Sequence, residues 1–137
     1  MSDSRDPRPA PERIHHLAVA AEWDAAVARG GPYERSTIDA SLAEEGFIHC
    51  SLAEQVRGTA DRYYQGRRDI LLLTIDTAKV GAPVVVEDLL GRGTAFPHIY
   101  GPLPLDAVIS ATPVPLGADG RLDLDAVLPP NDEPPGR

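Results

Sequence analysis

Imidazole is the side chain best suited to proton transfer, hydroxyl binding and metal ligation near neutral pH. The 137-residue chain has four histidines: His15, His16, His49 and His98. All four stand in short segments of strand-forming residues. In 46–51 (GFIHCS), side chains alternate between faces. Phe47, His49 and Ser51 therefore share one face, and Ile48 and Cys50 share the other. In 96–100 (FPHIY) the same alternation groups Phe96, His98 and Tyr100, opposite Pro97 and Ile99. Each of these two histidines thus has an aromatic residue two positions away on its own face. His16 lies in 13–18 (RIHHLA), on the face of Ile14 and opposite to His15. If the three strands are neighbours, His16, His49 and His98 converge.

A mid-strand histidine on its own is commonly half-buried, with one ring nitrogen on a backbone carbonyl. Three together fit that description less well, because each buried imidazole needs its own hydrogen-bond partners. Three chemistries compete. One is zinc held by three histidines with an open fourth position, but the chain has no His-x-x-x-His or Cys-x-x-Cys pair. Another is nucleophilic attack by Cys50 or Ser51 with a histidine base. Cys50 directly follows His49, so on a strand the two side chains point apart, and Cys50 reads as a small buried residue. The third is a ligand cleft in which histidines hold ribose hydroxyls and aromatics stack on a flat ring. Phe47, Phe96 and Tyr100 beside His49 and His98 fit this best. Glu87 is the main candidate for a buried or catalytic acid, although its simpler reading is a strand-end residue facing water.

Periodicity gives the elements that must position these residues. Segment 13–18 reads as an opening strand and 20–29 as a helix, with Val19, Trp23 and Val27 on one face. Gly30-Gly31-Pro32 stops that helix. Segment 33–44 reads as loop or a short helical turn, and 46–51 as a second strand. A second helix is expected from Ser51, with Ser51 and Glu54 as a capping box. Leu52, Val56, Ala60 and Tyr63 form its stripe, and Gly66 closes it. The same tetrapeptide, SLAE, recurs at 41–44, too short to imply a structural repeat. Beyond it, 70–76 (ILLLTID) is a continuous apolar run, as expected of a strand buried on both faces. Segments 84–88, 96–100 and 107–113 read as further strands. A loop at 89–95 and a turn at 117–120 separate them, and 122–128 closes the β-rich half. The order β-α-β-α and then several strands specifies an α+β domain with two helices in its N-terminal half.

Composition narrows the class. Against 13 Lys+Arg stand 21 Asp+Glu, a formal charge of −8. Such a surface repels phosphate backbones, so a nucleic-acid partner is not expected. Apolar residues make up 42% of the chain, enough for a core. No apolar run approaches the roughly 20 residues of a spanning helix, and the charged, Pro-rich opening shows no secretory signal. The single cysteine agrees with a reducing compartment. A cytoplasmic protein without membrane contact is therefore expected. Seven of the 14 prolines fall in 1–12 and 129–137, so both segments read as tails around a single domain at 13–128.

The strings Ile14-His15-His16-Leu17, Trp23, Glu45-Gly46-Phe47-Ile48-His49-Cys50-Ser51, Gln55 and Phe96-Pro97-His98-Ile99-Tyr100-Gly101-Pro102-Leu103 resemble one uncharacterised bacterial family. It is the domain of unknown function numbered nine hundred and fifty-two. The family in turn looks like a remote member of the ADP-ribosyltransferase-like superfold. That resemblance implies a split β core of two small sheets around a cleft, with NAD as the cofactor. It implies His16 in the role that holds ribose and His49 in the role near nicotinamide. His98 then takes the position where active members carry a glutamate. Phe47, Ser51, Phe96 and Tyr100 are the implied cofactor contacts. Because a neutral imidazole lacks the charge that steadies a ribosyl cation, two readings follow. One is an NAD-linked transferase or glycohydrolase acting on a small or nucleotide-like substrate. The other is a binding module that kept the cleft and lost the chemistry.

Overall fold

The computed structural model describes residues 8–128 except 90 and 92. Most of the two segments expected as tails therefore lies outside the described residues. The chain opens with β1 (Arg8–Pro9) and β2 (Arg13–Val19), followed by α1 (Ala20–Ala28). A hairpin of β3 (Arg35–Thr37) and β4 (Ala40–Ser41) leads into α2 (Leu42–Glu45), β5 (Ile48–His49) and α3 (Val56–Tyr63). Strands β6 (Ile70–Asp76), β7 (Val84–Glu87), β8 (Phe96–Ile99) and β9 (Val108–Pro113) complete the order. Short 3-10 turns sit at Thr77–Lys79, Leu105–Ala107 and Leu124–Ala126.

The strands form one sheet in the order β1-β7-β8-β5, a second in the order β2-β6-β9, and the β3-β4 hairpin. Every pairing among them is antiparallel. The two larger sheets meet where β5 runs on into Ser51. There the Ser51 amide donates to the His15 carbonyl at 2.7 Å, and the His15 amide donates to the Ser51 carbonyl at 2.8 Å. This is a small α+β fold with its helices in the N-terminal half and antiparallel sheets. Among the described residues, no helix is long and apolar enough to cross a membrane.

The continuous apolar run of β6 has the predicted cause. Leu71, Leu73 and Ile75 face one core, with Ile14 and Ala18 from β2 and with Ile48, Cys50 and Ile99 from the other sheet. Ile70 and Leu72 face a second core under α3, with Leu17, Val56, Ala60 and Tyr64. The central strand is thus buried on both sides, which removes the apolar–polar alternation of a half-exposed strand.

Several expectations are corrected. The segment 33–44, expected as loop or a short helical turn, has that turn as α2 but also holds the unexpected β3-β4 hairpin. Segment 122–128 carries a 3-10 turn and an isolated bridge from Leu122 to Leu116, not a strand. Arg8 and Pro9 pair with Val86 and Val85, an edge position where a proline costs no ladder bond. On α1 the inward residue is Ala26, with Trp23 packed beside the first core, while Val27 is 49% exposed and Val19 turns to the second core. On α3 the buried residues step by four from Val56 to Ala60 to Tyr64, leaving Tyr63 at 59% exposure.

The capping box expected at Ser51 forms instead at the other copy of SLAE. The Ser41 hydroxyl accepts from the Glu44 amide at 3.2 Å, and the Glu44 carboxylate accepts from the Ser41 amide at 2.8 Å. At Ser51 the amide is already committed to the His15 carbonyl, so Glu54 has no donor to reach. There the Leu52 amide donates to the Gln55 side chain at 2.9 Å, and the helix starts later, at Val56.

Candidate functional site

Strand register builds the site. His49 lies directly opposite His98, and Ile48 lies opposite Ile99. The His49 amide and carbonyl are bonded to Ser36 and His16 rather than to β8. In an antiparallel pair, positions whose backbone groups point outward are those where side chains approach most closely. The two imidazole centroids are accordingly 5.6 Å apart. Next along the chain, Phe47 stacks on His98 at 4.1 Å, Phe96 lies 5.2 Å from His49, and Tyr100 lies 5.6 Å from Phe47. The expected grouping of Phe47, His49, Phe96, His98 and Tyr100 is one continuous cluster.

A carboxylate joins it from the next strand. On β7, Glu87 pairs with Phe96 and Val85 pairs with His98, so Glu87 shares the face of the cluster. Glu87 Oε2 lies 2.8 Å from His98 Nδ1 and also accepts from the Tyr100 hydroxyl. Its side chain is 13% exposed, which corrects the expectation of a strand-end residue facing water. Because a carboxylate only accepts, His98 Nδ1 carries the proton of this bond. The Phe47 ring covers one face of His98. The tyrosine proton is held firmly. Burial first, and then the Glu87 hydrogen bond and charge, push the Tyr100 phenol up to about 12.

The His49 ring makes no hydrogen bond to another described residue. Burial, followed by the neighbouring His98 and His16, pushes it down to about 4. At neutral pH it is a neutral imidazole with one donor and one acceptor to offer. Glu87 Oε1 likewise has no hydrogen-bond partner among the described residues.

His16 is engaged differently. Its Nδ1 lies 2.7 Å from the His49 carbonyl and its Nε2 lies 2.9 Å from the Tyr33 hydroxyl. A carbonyl can only accept, so Nδ1 holds the proton and Nε2 accepts from Tyr33. Burial pushes the ring down to about 4, against the opposing pull of the carbonyl bond. Both ring nitrogens are thus spent within the protein, leaving none for a ribose hydroxyl. Strand β5 pairs with β8 and its continuation meets β2 at the His15–Ser51 bridge, but the His16 ring touches the site only through the His49 backbone.

Ser51 also turns away. It is buried, with its hydroxyl 3.1 Å from that of Thr59 on α3. Cys50 is buried and its thiol is pushed well up by desolvation, so it is protonated, as its place opposite His49 implies. Among the described residues, no three or more His, Cys, Asp or Glu side chains are placed to hold a metal ion. The three-histidine zinc arrangement therefore does not form, because His16 spends both nitrogens elsewhere.

The profile of the family described as "Protein of unknown function (DUF952)" matches residues 17–111. No curated protein matches the chain. Among solved structures, the crystal structure of protein CC0527 from Caulobacter crescentus is similar at 33% identity. The match covers 83% of this chain and 96% of that one, with a TM-score of 0.72. The solution NMR structure of CC0527 matches at 34% identity over 86% and 97%, with a TM-score of 0.64. With most of the folded region matched and this antiparallel α+β fold shared, the chain belongs to the DUF952 family.

Proposed function

We propose that the face formed by His49, His98, Glu87, Phe96 and Tyr100 binds a nucleotide-like ligand. On this reading it carries an NAD-linked ADP-ribosyl transfer or glycohydrolase reaction on an ADP-ribosyltransferase-like frame. The observation that carries the proposal is the Glu87 carboxylate, held at Oε2 by both His98 and Tyr100. The resemblance puts an imidazole where active members have a glutamate, and Glu87 on the adjacent strand supplies a carboxylate to the same spot. A fixed negative charge is what a developing ribosyl cation requires.

The donor set fits such a ligand. Phe96 and Tyr100 offer flat faces for a ring, His49 offers a neutral donor and acceptor for hydroxyls, and Glu87 offers a negative charge on the same face. NAD, when bound, would supply a glycosidic bond to a good leaving group. The chain's part is to hold the ring, orient the sugar and steady the charge. Calorimetry and thermal shift with NAD and ADP-ribose test the binding. A saturable signal supports the proposal, and no signal at millimolar concentration overturns it.

One observation favours a second reading, a ligand-binding module without chemistry. Two donors already share Glu87 Oε2, which spends part of its charge inside the protein. Binding of ADP-ribose with no release of nicotinamide from NAD would select that reading.

A further inference from the structure

The backbone of His49 is held by side chains rather than by a strand. Strand β5 is two residues long and lies at the edge of its sheet. On the side away from β8, the His49 amide donates to the Ser36 hydroxyl at 3.2 Å, and the His49 carbonyl accepts from His16 Nδ1 at 2.7 Å. His16 is in turn fixed from behind by the Tyr33 hydroxyl at 2.9 Å. Tyr33 is itself anchored, with amide and carbonyl both bonded to Leu103 at 3.0 Å and its ring edge-on to His16. Ser36, His16 and Tyr33 are all almost wholly buried.

We infer that His16 and Ser36 are positioning residues that clamp the His49 peptide and so aim the His49 imidazole at His98 and the ligand face. Strand bonds flank His49, with the Cys50 amide on the Pro97 carbonyl and Ser51 paired with His15, but none engages the His49 amide or carbonyl. An orphaned outward carbonyl or amide would seek water and turn the strand. The clamp gives both outward groups of His49 a buried partner. It also explains why a histidine rather than an aliphatic residue stands at position 16. One side chain must donate forward to a carbonyl and accept from a tyrosine behind, and neutral imidazole does both. The inference rests on the site reading only in taking His49 as a residue the ligand meets.

The test reads His49 directly and needs no ligand. With the Phe96 ring 5.2 Å away, ring currents are expected to displace the His49 Hε1 resonance in the full-length protein. His16→Leu removes the donor to the His49 carbonyl. The clamp predicts that the His49 Hε1 shift then moves towards the free-histidine value and that NAD or ADP-ribose binding weakens. His16→Asn keeps a donor at the Nδ1 position and is expected to restore most of the shift. Ser36→Ala, which spares the His16 bond, is expected to move it part of the way. Val56→Ala, in the other core, controls for general loosening and should lower the melting temperature without moving His49. If His16→Leu folds and leaves the His49 shift unchanged, or moves it no more than Val56→Ala does, the inference fails. If His16→Leu does not fold, His16→Asn and Ser36→Ala decide by the same shift. A displaced His49 in a protein whose parent binds neither NAD nor ADP-ribose would keep the clamp and remove only the ligand assignment.

Discussion

Glu87 Oε2 lies 2.8 Å from His98 Nδ1, a bond between strands β7 and β8 that holds the imidazole proton on the nitrogen facing the carboxylate. The same oxygen receives the Tyr100 hydroxyl, so two donors fix one carboxylate in a largely buried position. Such an arrangement orients a charge before any ligand arrives, and orientation in advance is what makes a charge effective in a reaction.

Glu87→Gln removes the charge and keeps the shape. One amide oxygen can still accept from His98, so the fold should survive with a loss of about 1–3 kcal/mol in chemical denaturation. Any nicotinamide-releasing activity should fall by about 100-fold or more. A folded variant with undiminished activity would remove Glu87 from the chemistry.

Tyr100→Phe deletes the second donor to Glu87 while keeping the ring. It is expected to alter activity more than stability, since Tyr100 is partly exposed. Binding of ADP-ribose by calorimetry should change little, because the stacking face remains. A loss of binding equal to the loss of activity would place Tyr100 in ligand contact through its hydroxyl.

Acid should destabilise the protein through His16. In the folded state its ring is held down at about 4, whereas the unfolded ring titrates near 6.5. Between those values the unfolded chain binds a proton that the folded chain refuses, so stability falls as pH drops from 6.5 to 4 and rises with pH across that window. Above pH 6.5 both states are neutral and the contribution is flat. The full effect is of order 3 kcal/mol. Urea midpoints measured from pH 7 to pH 4 should show a shallower fall in His16→Asn than in the parent chain. Equal slopes would contradict the assignment.

The two SLAE copies give a matched comparison. Ser41→Ala should cost about 1 kcal/mol by removing a formed cap. Glu54→Ala should change stability by less than about 0.5 kcal/mol, because no capping box forms there. Likewise Tyr64→Ala should cost about 3 kcal/mol and Tyr63→Ala little, since only Tyr64 is in the core.

The pattern of legibility follows from how local each signal is. The facing of Phe47, His49, Phe96, His98 and Tyr100 could be read from alternation alone, because a strand's period of two needs no tertiary partner. The double burial of β6 could be read from its unbroken apolar run. Glu87 could not be placed, because its partners arrive by pairing of β7 with β8 across a loop. Nor could the engagement of His16, whose hydrogen bonds reach Tyr33 and His49, both far along the chain. The SLAE copies set the limit most plainly. Identical tetrapeptides cap at 41–44 and not at 51–54, because only at Ser51 does a neighbouring strand take the amide first.

Nicotinamide release from NAD, followed by chromatography, with ADP-ribose binding measured alongside on the same samples of parent and Glu87→Gln protein, tests whether Glu87 serves the reaction. Release by the parent chain, near-complete loss in Glu87→Gln and retained ADP-ribose binding in both are expected. Absence of NAD and ADP-ribose binding in the parent chain, or release that is unchanged in Glu87→Gln, would contradict the proposal.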